Sequence, residues 1–215
     1  MQVVGDGFVY SATDLNNDLE CRRLTWLEYR VALGELQRAA AEGAAQLIAE
    51  KGEAHEARYR DVQLARLGEE MVLFAGRVVN TRAAMAAAEA ETVAAMERGA
   101  KLIYQATFFD GTFLGRTDFL RRVERPSARW AWSYEFVDTK LALSPKAYFL
   151  LQLCNYSEHL ARLQGTAPRA GHLVLGSGLE AAFRIDEYAA FYRQQKKTFL
   201  ARAAQPAEAY PEETA

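Results

Sequence analysis

Apolar side chains in the first hundred residues recur at helical spacing. Ser11 stands before the first such run as a helix cap, with Asp14 near the positive end of the helix dipole. The pattern predicts a helix that runs to about Leu33, followed by helical stretches over 35–66 and 78–98. The leucines that define the first helix face are Leu15, Leu19, Leu24 and Leu27.

Beyond residue 100 the chain changes to short apolar and aromatic runs. Asp110-Gly111 is a hairpin turn signal, and Arg125-Pro126-Ser127 interrupts the following run. A helix is predicted from Ser144-Pro145 to about Leu163, and a last one over Asp186–Ala203. The predicted strands are Leu102–Phe109, Phe113–Val123, Trp132–Leu141, His172–Leu175 and Ala181–Ile185.

This order of elements predicts an α/β core with a helical N-terminal extension. We divide the chain into a helical part at 1–100, a core at 101–203 and a tail at 204–215. The tail is small, polar and contains proline, so a loop is expected there. An all-helical interaction protein, which the alanine-rich stretch at 78–98 would suit, is disfavoured by the aromatic runs between 102 and 141.

Composition indicates a globular protein outside membranes. Half of the 215 residues are hydrophobic and a quarter are charged. No apolar run approaches the length of a membrane-spanning helix, and the N-terminus does not resemble a signal peptide, so a cytoplasmic location is expected. The two cysteines, Cys21 and Cys154, are far apart and do not suggest a disulfide framework.

The formal net charge of −2 weakens an expectation of nucleic-acid binding, because such binding rests mostly on cations that contact phosphate. Arginines are nevertheless concentrated in one stretch of the core. They form either a basic stripe for a polyanion or a solvated protein face, and composition does not separate the two. The arginines are Arg116, Arg121, Arg122, Arg125 and Arg129.

One strand could carry reactive groups on a single face. Side chains alternate along a strand, so Asp138 and Lys140 would point to the same place. In the preceding strand the alternation puts Arg116, Asp118, Leu120 and Arg122 on one face. If the two strands pair, Asp118 lies beside Asp138, and two converging carboxylates favour a cation between them. Hard oxygen ligands suit Mg²⁺ or Mn²⁺.

The spacing of Asp138 and Lys140 alone also fits an ordinary surface strand pair. The neighbouring residues add weight, because Gly115-Arg116-Thr117-Asp118 is the only Gly-x-x-Asp in the chain and Gln152–Tyr156 is the only Gln-x-x-x-Tyr. Helical spacing puts Tyr148, Gln152, Tyr156 and His159 in one stripe. A glutamine inside an aromatic stripe is more typical of an active-site wall than of a core.

Gly-x-x-Asp, then a strand with Asp-x-Lys, then a helix with Gln-x-x-x-Tyr resembles the RecB-like branch of the PD-(D/E)XK nucleases. That branch also carries a histidine on an upstream helix, and Gly52-Glu53-Ala54-His55-Glu56 is similar. The resemblance covers most of residues 8–200, and in a similar bacterial group the nuclease precedes a region with helicase features. Further similar segments are Tyr10–Leu15, Leu24–Glu28, Ile103–Ala106 and Val137–Leu141.

The resemblance implies a PD-(D/E)XK restriction-endonuclease-like core, a mixed sheet flanked by helices, that cleaves DNA with Mg²⁺ or Mn²⁺. A helicase domain in the same polypeptide would be its partner. By resemblance, His55, Asp118, Asp138 and the Thr139 carbonyl would bind the metal. Lys140 would activate the attacking water. Gln152 and Tyr156 would position the DNA strand. Apart from the resemblance, the positive charge of Arg116 and Arg122 makes them candidate contacts for DNA phosphates.

Cys21 lies where several RecB-like nucleases have the first ligand of an iron–sulfur cluster. Four thiolates are normally needed, so no such cluster is expected within these residues. Either this is a domain truncated at its C-terminal tail or the cluster has been lost; within these residues Cys21 is a free thiol. A module on the same fold that binds DNA or a helicase without cleavage is the alternative to a nuclease.

Overall fold

The computed structural model describes residues 1–40, 42–74, 76–204 and 207. The tail predicted at 204–215 therefore lies outside the described residues except at 204 and 207. The helices are α1 (Ala12–Glu20), α2 (Arg22–Ala32), α3 (Ala44–Leu67), α4 (Arg82–Glu97), α5 (Ala147–Gln164) and α6 (Ala189–Ala203). The strands are β1 (Gln2–Val4), β2 (Gly7–Val9), β3 (Met71–Leu73), β4 (Leu102–Phe109), β5 (Leu114–Val123), β6 (Ser133–Lys140), β7 (Ala170–Leu175) and β8 (Glu180–Arg184).

A six-stranded mixed sheet in the order β3-β4-β5-β6-β7-β8 forms the centre of the molecule. β4, β5 and β6 pair antiparallel in succession, so the three strands that the sequence predicts between residues 102 and 141 form a meander. β7 then pairs parallel to β6, because α5 carries the chain back across the sheet between them. β1 and β2 form a separate antiparallel pair.

The sheet separates two apolar clusters. Alternate residues of neighbouring strands enter opposite clusters: Leu120 and Phe136 pack in the larger one with α4, α5 and α6. Phe119 and Val137 pack in the smaller one against α3. The architecture is therefore an α/β sheet with helices on both faces. No helix of the described ranges is both long and apolar enough to span a membrane.

The first predicted helix is two helices. Ser11 begins α1 in a capping box with Asp14, as the sequence indicates, but the backbone at Cys21 is extended and α2 starts after it. This break lets Asp18 of α1 accept a hydrogen bond from Thr25 of α2 (3.0 Å) and pair with Arg202 of α6 (2.7 Å). Leucine spacing could not anticipate a break that serves contacts between helices.

Two other predicted helices begin later than the pattern indicates. The stretch at 35–66 becomes helical only at Ala44, after Gly43 with φ of 57°. The stretch at 78–98 becomes α4 from Arg82, where the Thr81 hydroxyl caps the helix by accepting from the Ala84 N–H. A side-chain acceptor at this position satisfies an amide that has no partner within the helix.

α4 also covers part of a sheet edge. β3 pairs only with the first residues of β4, so the remaining outward amides of β4 need other partners. The Thr107 N–H donates to the Thr92 hydroxyl (3.0 Å), and the Phe109 N–H donates to the Glu89 carboxylate (2.7 Å). Side chains of α4 thus replace a neighbouring strand.

Candidate active site

The β5–β6 ladder stops at a pair of aspartates. Its last backbone partners on this side are Phe119 and Val137, and Asp118 and Asp138 come next on their strands. Beyond them, the Thr139 N–H and hydroxyl both donate to the Asp118 carboxylate, each at 2.7 Å. A side chain has taken the place of the backbone acceptor, so the strands part at this point.

The alternation of side chains between the two faces of the sheet is interrupted on β4 and β5 at the level of Asp118. On β4, Ile103 and Ala106 are an odd number apart, yet both belong to the larger apolar cluster. Gln105 between them has φ of 58°, the only positive φ of a non-glycine residue in the described part of the chain. On β5, a side chain at Gly115 would meet Tyr156 of the cluster that also contains Leu120.

This shift corrects the face predicted for β5. Arg116 lies on the opposite side of the strand from Leu120, although regular alternation would put them together. Its side chain lines a cavity of about 250 Å³ with Arg77 and Glu91, and its Nε atom is buried without a hydrogen-bond partner among the described residues. Strict alternation fails here because Gln105 of β4 leaves the regular β conformation and the β4–β5 pairing is interrupted between Gln105 and Asp118.

A chain of contacts runs from Asp138 to helix α5. The Lys140 ammonium forms an ion pair with Asp138 and donates to the Gln152 carbonyl oxygen at 2.9 Å. The Gln152 amide donates to the Tyr156 hydroxyl at 2.8 Å, and that hydroxyl donates to the Arg116 carbonyl at 2.8 Å. The helical stripe and the strand face predicted separately therefore meet, and Lys140 is fixed from both sides.

Negative charge exceeds positive charge at this point. Burial raises the pKa of Asp118 well above its usual range, and the neighbouring carboxylates of Asp138 and Glu56 raise it further. For Lys140, burial opposes the charged form, but Asp138 and Asp118 outweigh it and raise the pKa of the ammonium. Asp118 and Asp138 thus share one ammonium, and Glu56 adds a third negative charge close enough to raise the pKa of Asp118. Burial likewise raises the pKa of Tyr156 well above its usual range, which keeps its hydroxyl protonated.

Glu56 is the member of this group that sequence reasoning missed. It lies on α3, contacts the Gln105 amide, and acts on the pKa of Asp118. A signal was present, since Glu56 directly follows the histidine singled out in the sequence.

His55 contacts β7, the strand that pairs with β6. Its Nε2 atom lies 3.2 Å from the Val174 carbonyl oxygen, and the ring borders a cavity of about 340 Å³ with Arg58, Gly176 and Glu180. Across residues 1–40, 42–74, 76–204 and 207, no group of three or more His, Cys, Asp or Glu side chains is arranged to hold a metal ion. Val174 is the β7 partner of Thr139, and the role of His55 as a metal ligand stays a prediction.

Arg122, predicted to contact phosphate, and Cys21, considered as a cluster ligand, lie apart from the two aspartates. Arg122 is near the far end of β5, where it donates to the Gly99 carbonyl (3.2 Å), packs on the Trp132 ring (4.3 Å) and pairs with Glu124. Cys21 is a free, half-buried thiol between α1 and α2. Arg122 and Cys21 therefore make their contacts with residues other than the two aspartates.

Comparison with known proteins does not identify the chain. The sequence matches no protein-family model and no curated protein. Function must therefore be inferred from the side chains and from what their arrangement can do.

Proposed function

We propose that this chain is a metal-dependent nuclease of the PD-(D/E)XK type that hydrolyses DNA phosphodiester bonds. In its finer form, the proposal is a RecB-like exonuclease that acts with a helicase in DNA repair or processing. The mixed sheet flanked by helices is compatible with such a core. The proposal rests on one observation: Asp118, Asp138 and Lys140 meet where two strands part, with Lys140 tied to Gln152.

The donor set suits a divalent cation by charge. Asp118 and Asp138 face the single ammonium of Lys140, and Glu56 adds negative charge nearby; burial is the largest cause of the raised pKa of Asp118, and the two neighbouring carboxylates add to it. Carboxylate oxygens are ligands that Mg²⁺ and Mn²⁺ prefer. Asp118 and Asp138 would hold the ion, with the Thr139 carbonyl as the further ligand that the family resemblance implies.

A bound Mg²⁺ or Mn²⁺ would acidify water and neutralise charge on a phosphate. The residues of the chain supply the rest. Lys140 keeps its proton, because Asp138 and Asp118 stabilise the ammonium, so it can donate to an attacking water or to a phosphate oxygen. Gln152 fixes the direction of that ammonium, and Tyr156 fixes Gln152 through its own bond to the Arg116 carbonyl.

Two substitutions test the proposal. Lys140→Ala removes the only ammonium of the group, and Asp118→Asn removes a carboxylate charge while keeping the side-chain shape. Each should lower metal-dependent cleavage of a fluorescent DNA by a factor of at least about 100, because each group acts on the reacting phosphate or its ion. Circular dichroism should show the fold of the parent.

The exposed residues Lys197 and Asp61 provide matched controls. Lys197→Ala and Asp61→Asn should cut DNA at the parent's rate in Mg²⁺ and in Mn²⁺. Parental cleavage by the Lys140 and Asp118 variants would remove the nuclease proposal. A parent that binds DNA without cleavage under every divalent ion tried would leave a non-cleaving DNA- or helicase-binding module.

A further inference from the structure

A cavity of about 690 Å³ lies between α5, α6 and the segments that precede β7 and follow β8. Helical spacing places its α5 residues on the face of that helix opposite Gln152 and Tyr156, so the cavity is separate from the proposed cleavage site. A volume of this size is typical of small-molecule sites, whose walls are mostly apolar. The inner wall is formed by buried side chains and small ones, among them Cys154, Ser157, Ala161, Ile185, Ala189 and Tyr192.

Both carboxylates at the mouth of this cavity already have partners. The Glu158 carboxylate accepts a hydrogen bond from the Tyr192 hydroxyl at 3.0 Å and forms an ion pair with Lys196. The Asp186 carboxylate pairs with the Arg184 guanidinium at 2.6 Å, and the hydrogen bond from that guanidinium lowers the pKa of Asp186. Neither carboxylate therefore needs a further cation.

Two other cations at the mouth have no such partner. Arg169 and Arg193 are exposed there, and neither guanidinium forms an ion pair or hydrogen bond within the described part of the chain. Burial raises the pKa of the Cys154 thiol to about 11, although the charge of Arg193 opposes this shift, and burial also raises the pKa of Tyr192. Both groups are therefore neutral at physiological pH. The lining carries two unpaired positive charges, and its negative charges are all paired.

We propose that this cavity binds a small organic anion, with a carboxylate at Arg169 and Arg193 and an apolar body against Ile185 and Tyr192. Guanidinium groups present planar pairs of donors that match a carboxylate. The apolar body would displace water from the inner wall, which favours binding. An acidic peptide has the same charge, but a single small molecule suits the volume better. The inference does not depend on the proposed nuclease activity.

Isothermal titration calorimetry with decanoate, a carboxylate with an apolar tail, tests this proposal. The parent should bind one decanoate per chain. Acetate has the head group without the tail, and decyltrimethylammonium has the tail with a positive head group, so each should bind at least about tenfold more weakly. Lys140→Ala should bind decanoate as the parent does, because Lys140 contacts the other face of α5.

Substitutions in the lining test the two parts of the ligand separately. Arg169→Gln and Arg193→Gln each remove one positive charge, and each should weaken decanoate binding about tenfold, as expected for one lost charge-assisted hydrogen bond. Ala161→Leu narrows the cavity and should weaken binding without a change of charge. Arg98→Gln is the matched control, because Arg98 is exposed at the end of α4 and does not line the cavity. It should bind decanoate like the parent.

Three results would overturn the inference. The parent does not bind decanoate, decyltrimethylammonium binds as tightly as decanoate, or the double variant of Arg169→Gln with Arg193→Gln, folded as judged by its melting temperature, binds decanoate like the parent. A hexaglutamate peptide that binds more tightly than decanoate would also contradict it, because the ligand class would then be an acidic peptide. The exposed position of both arginines makes loss of folding by the double variant unlikely to hide the result, and Ala161→Leu provides an independent measurement.

Discussion

At the scale of single residues, Asp118 shows how a site can oppose the stability of its own fold. The Thr139 N–H and hydroxyl hold its carboxylate, yet burial, Asp138 and Glu56 all disfavour its charge. A carboxyl with a raised pKa binds a proton more readily in the folded chain than in the unfolded chain. Above that raised pKa, the charged form costs folding free energy.

We expect Asp118→Asn to increase the free energy of unfolding at neutral pH. The gain should shrink as pH falls through the raised folded pKa of Asp118 toward its ordinary value of about 3.9, because the parent's carboxyl then becomes neutral by itself. Urea unfolding of both proteins at pH 8 and pH 5, without divalent ions, measures the difference. A variant less stable than the parent at pH 8 would contradict this account.

At the scale of elements, the edge of β4 is held by two polar side chains of α4, Thr92 and Glu89, and the Thr92 hydroxyl is the buried one. Thr92 is fully buried. Its hydroxyl oxygen accepts a hydrogen bond from the Thr107 N–H, and its O–H donates to the Ala88 carbonyl oxygen. A buried N–H group that loses its only hydrogen-bond acceptor retains its full desolvation penalty, and nothing offsets that penalty. Helix and strand are therefore coupled by a polar contact as well as by apolar packing.

Thr92→Val tests this coupling with nearly the same side-chain volume. We expect it to lower the free energy of unfolding by about 1–3 kcal/mol, since the buried Thr107 N–H is left without an acceptor. Thr92→Ser keeps the hydroxyl and should lose less, on the order of one buried methyl group. Equal stability of the valine and serine variants would show that the hydroxyl does not matter.

Elements with strong local signals could be predicted from the sequence. β4 was predicted at its observed bounds, Leu102–Phe109, and β6 and α5 within a few residues, because alternation and helical spacing are local properties. The break at Cys21 could not be predicted, because the contact of Asp18 with Arg202 involves residues far apart in sequence.

The candidate site was predictable to the same extent. Lys140 and Gln152 each follow from regular periods, and the structure brings them into contact. The side of Arg116 does not follow from a period, because the backbone is irregular at Gln105 on the neighbouring strand. Glu56 lies on the regular helix α3, and its proximity to Asp118 depends on how that helix packs on the sheet. Local patterns therefore miss positions that are set by an irregular backbone or by contacts between distant elements.

At the scale of the whole molecule, stability should depend on pH through a buried histidine away from the site. His159 of α5 stacks on Phe108 at 5.7 Å, and burial lowers its pKa to about 4; Asp110 opposes this shift, while Arg162 and Lys196 add to it. The unfolded chain takes up a proton on this residue below about pH 6.5. The folded chain resists protonation until about pH 4.

The parent should therefore lose stability as pH falls from about 6.5 to about 4, by about 3 kcal/mol from this residue. His159→Phe keeps an aromatic ring against Phe108 and removes the titration. The free energy of unfolding should decrease less between pH 7 and pH 4.5 in the variant than in the parent. Parallel pH profiles for the two proteins would exclude His159 as the cause.

The two edge strands of the sheet, β3 and β8, also affect how copies of this chain can associate. On one side β3 is three residues long, and α4 occupies the amides of Thr107 and Phe109 beyond it. On the other side β8 carries the charged residues Glu180 and Arg184. Neither edge presents a long apolar ladder, so a strand from a second molecule has little to pair with. Crowded copies of the folded chain should therefore resist growth into strand-paired aggregates, although half of their residues are hydrophobic.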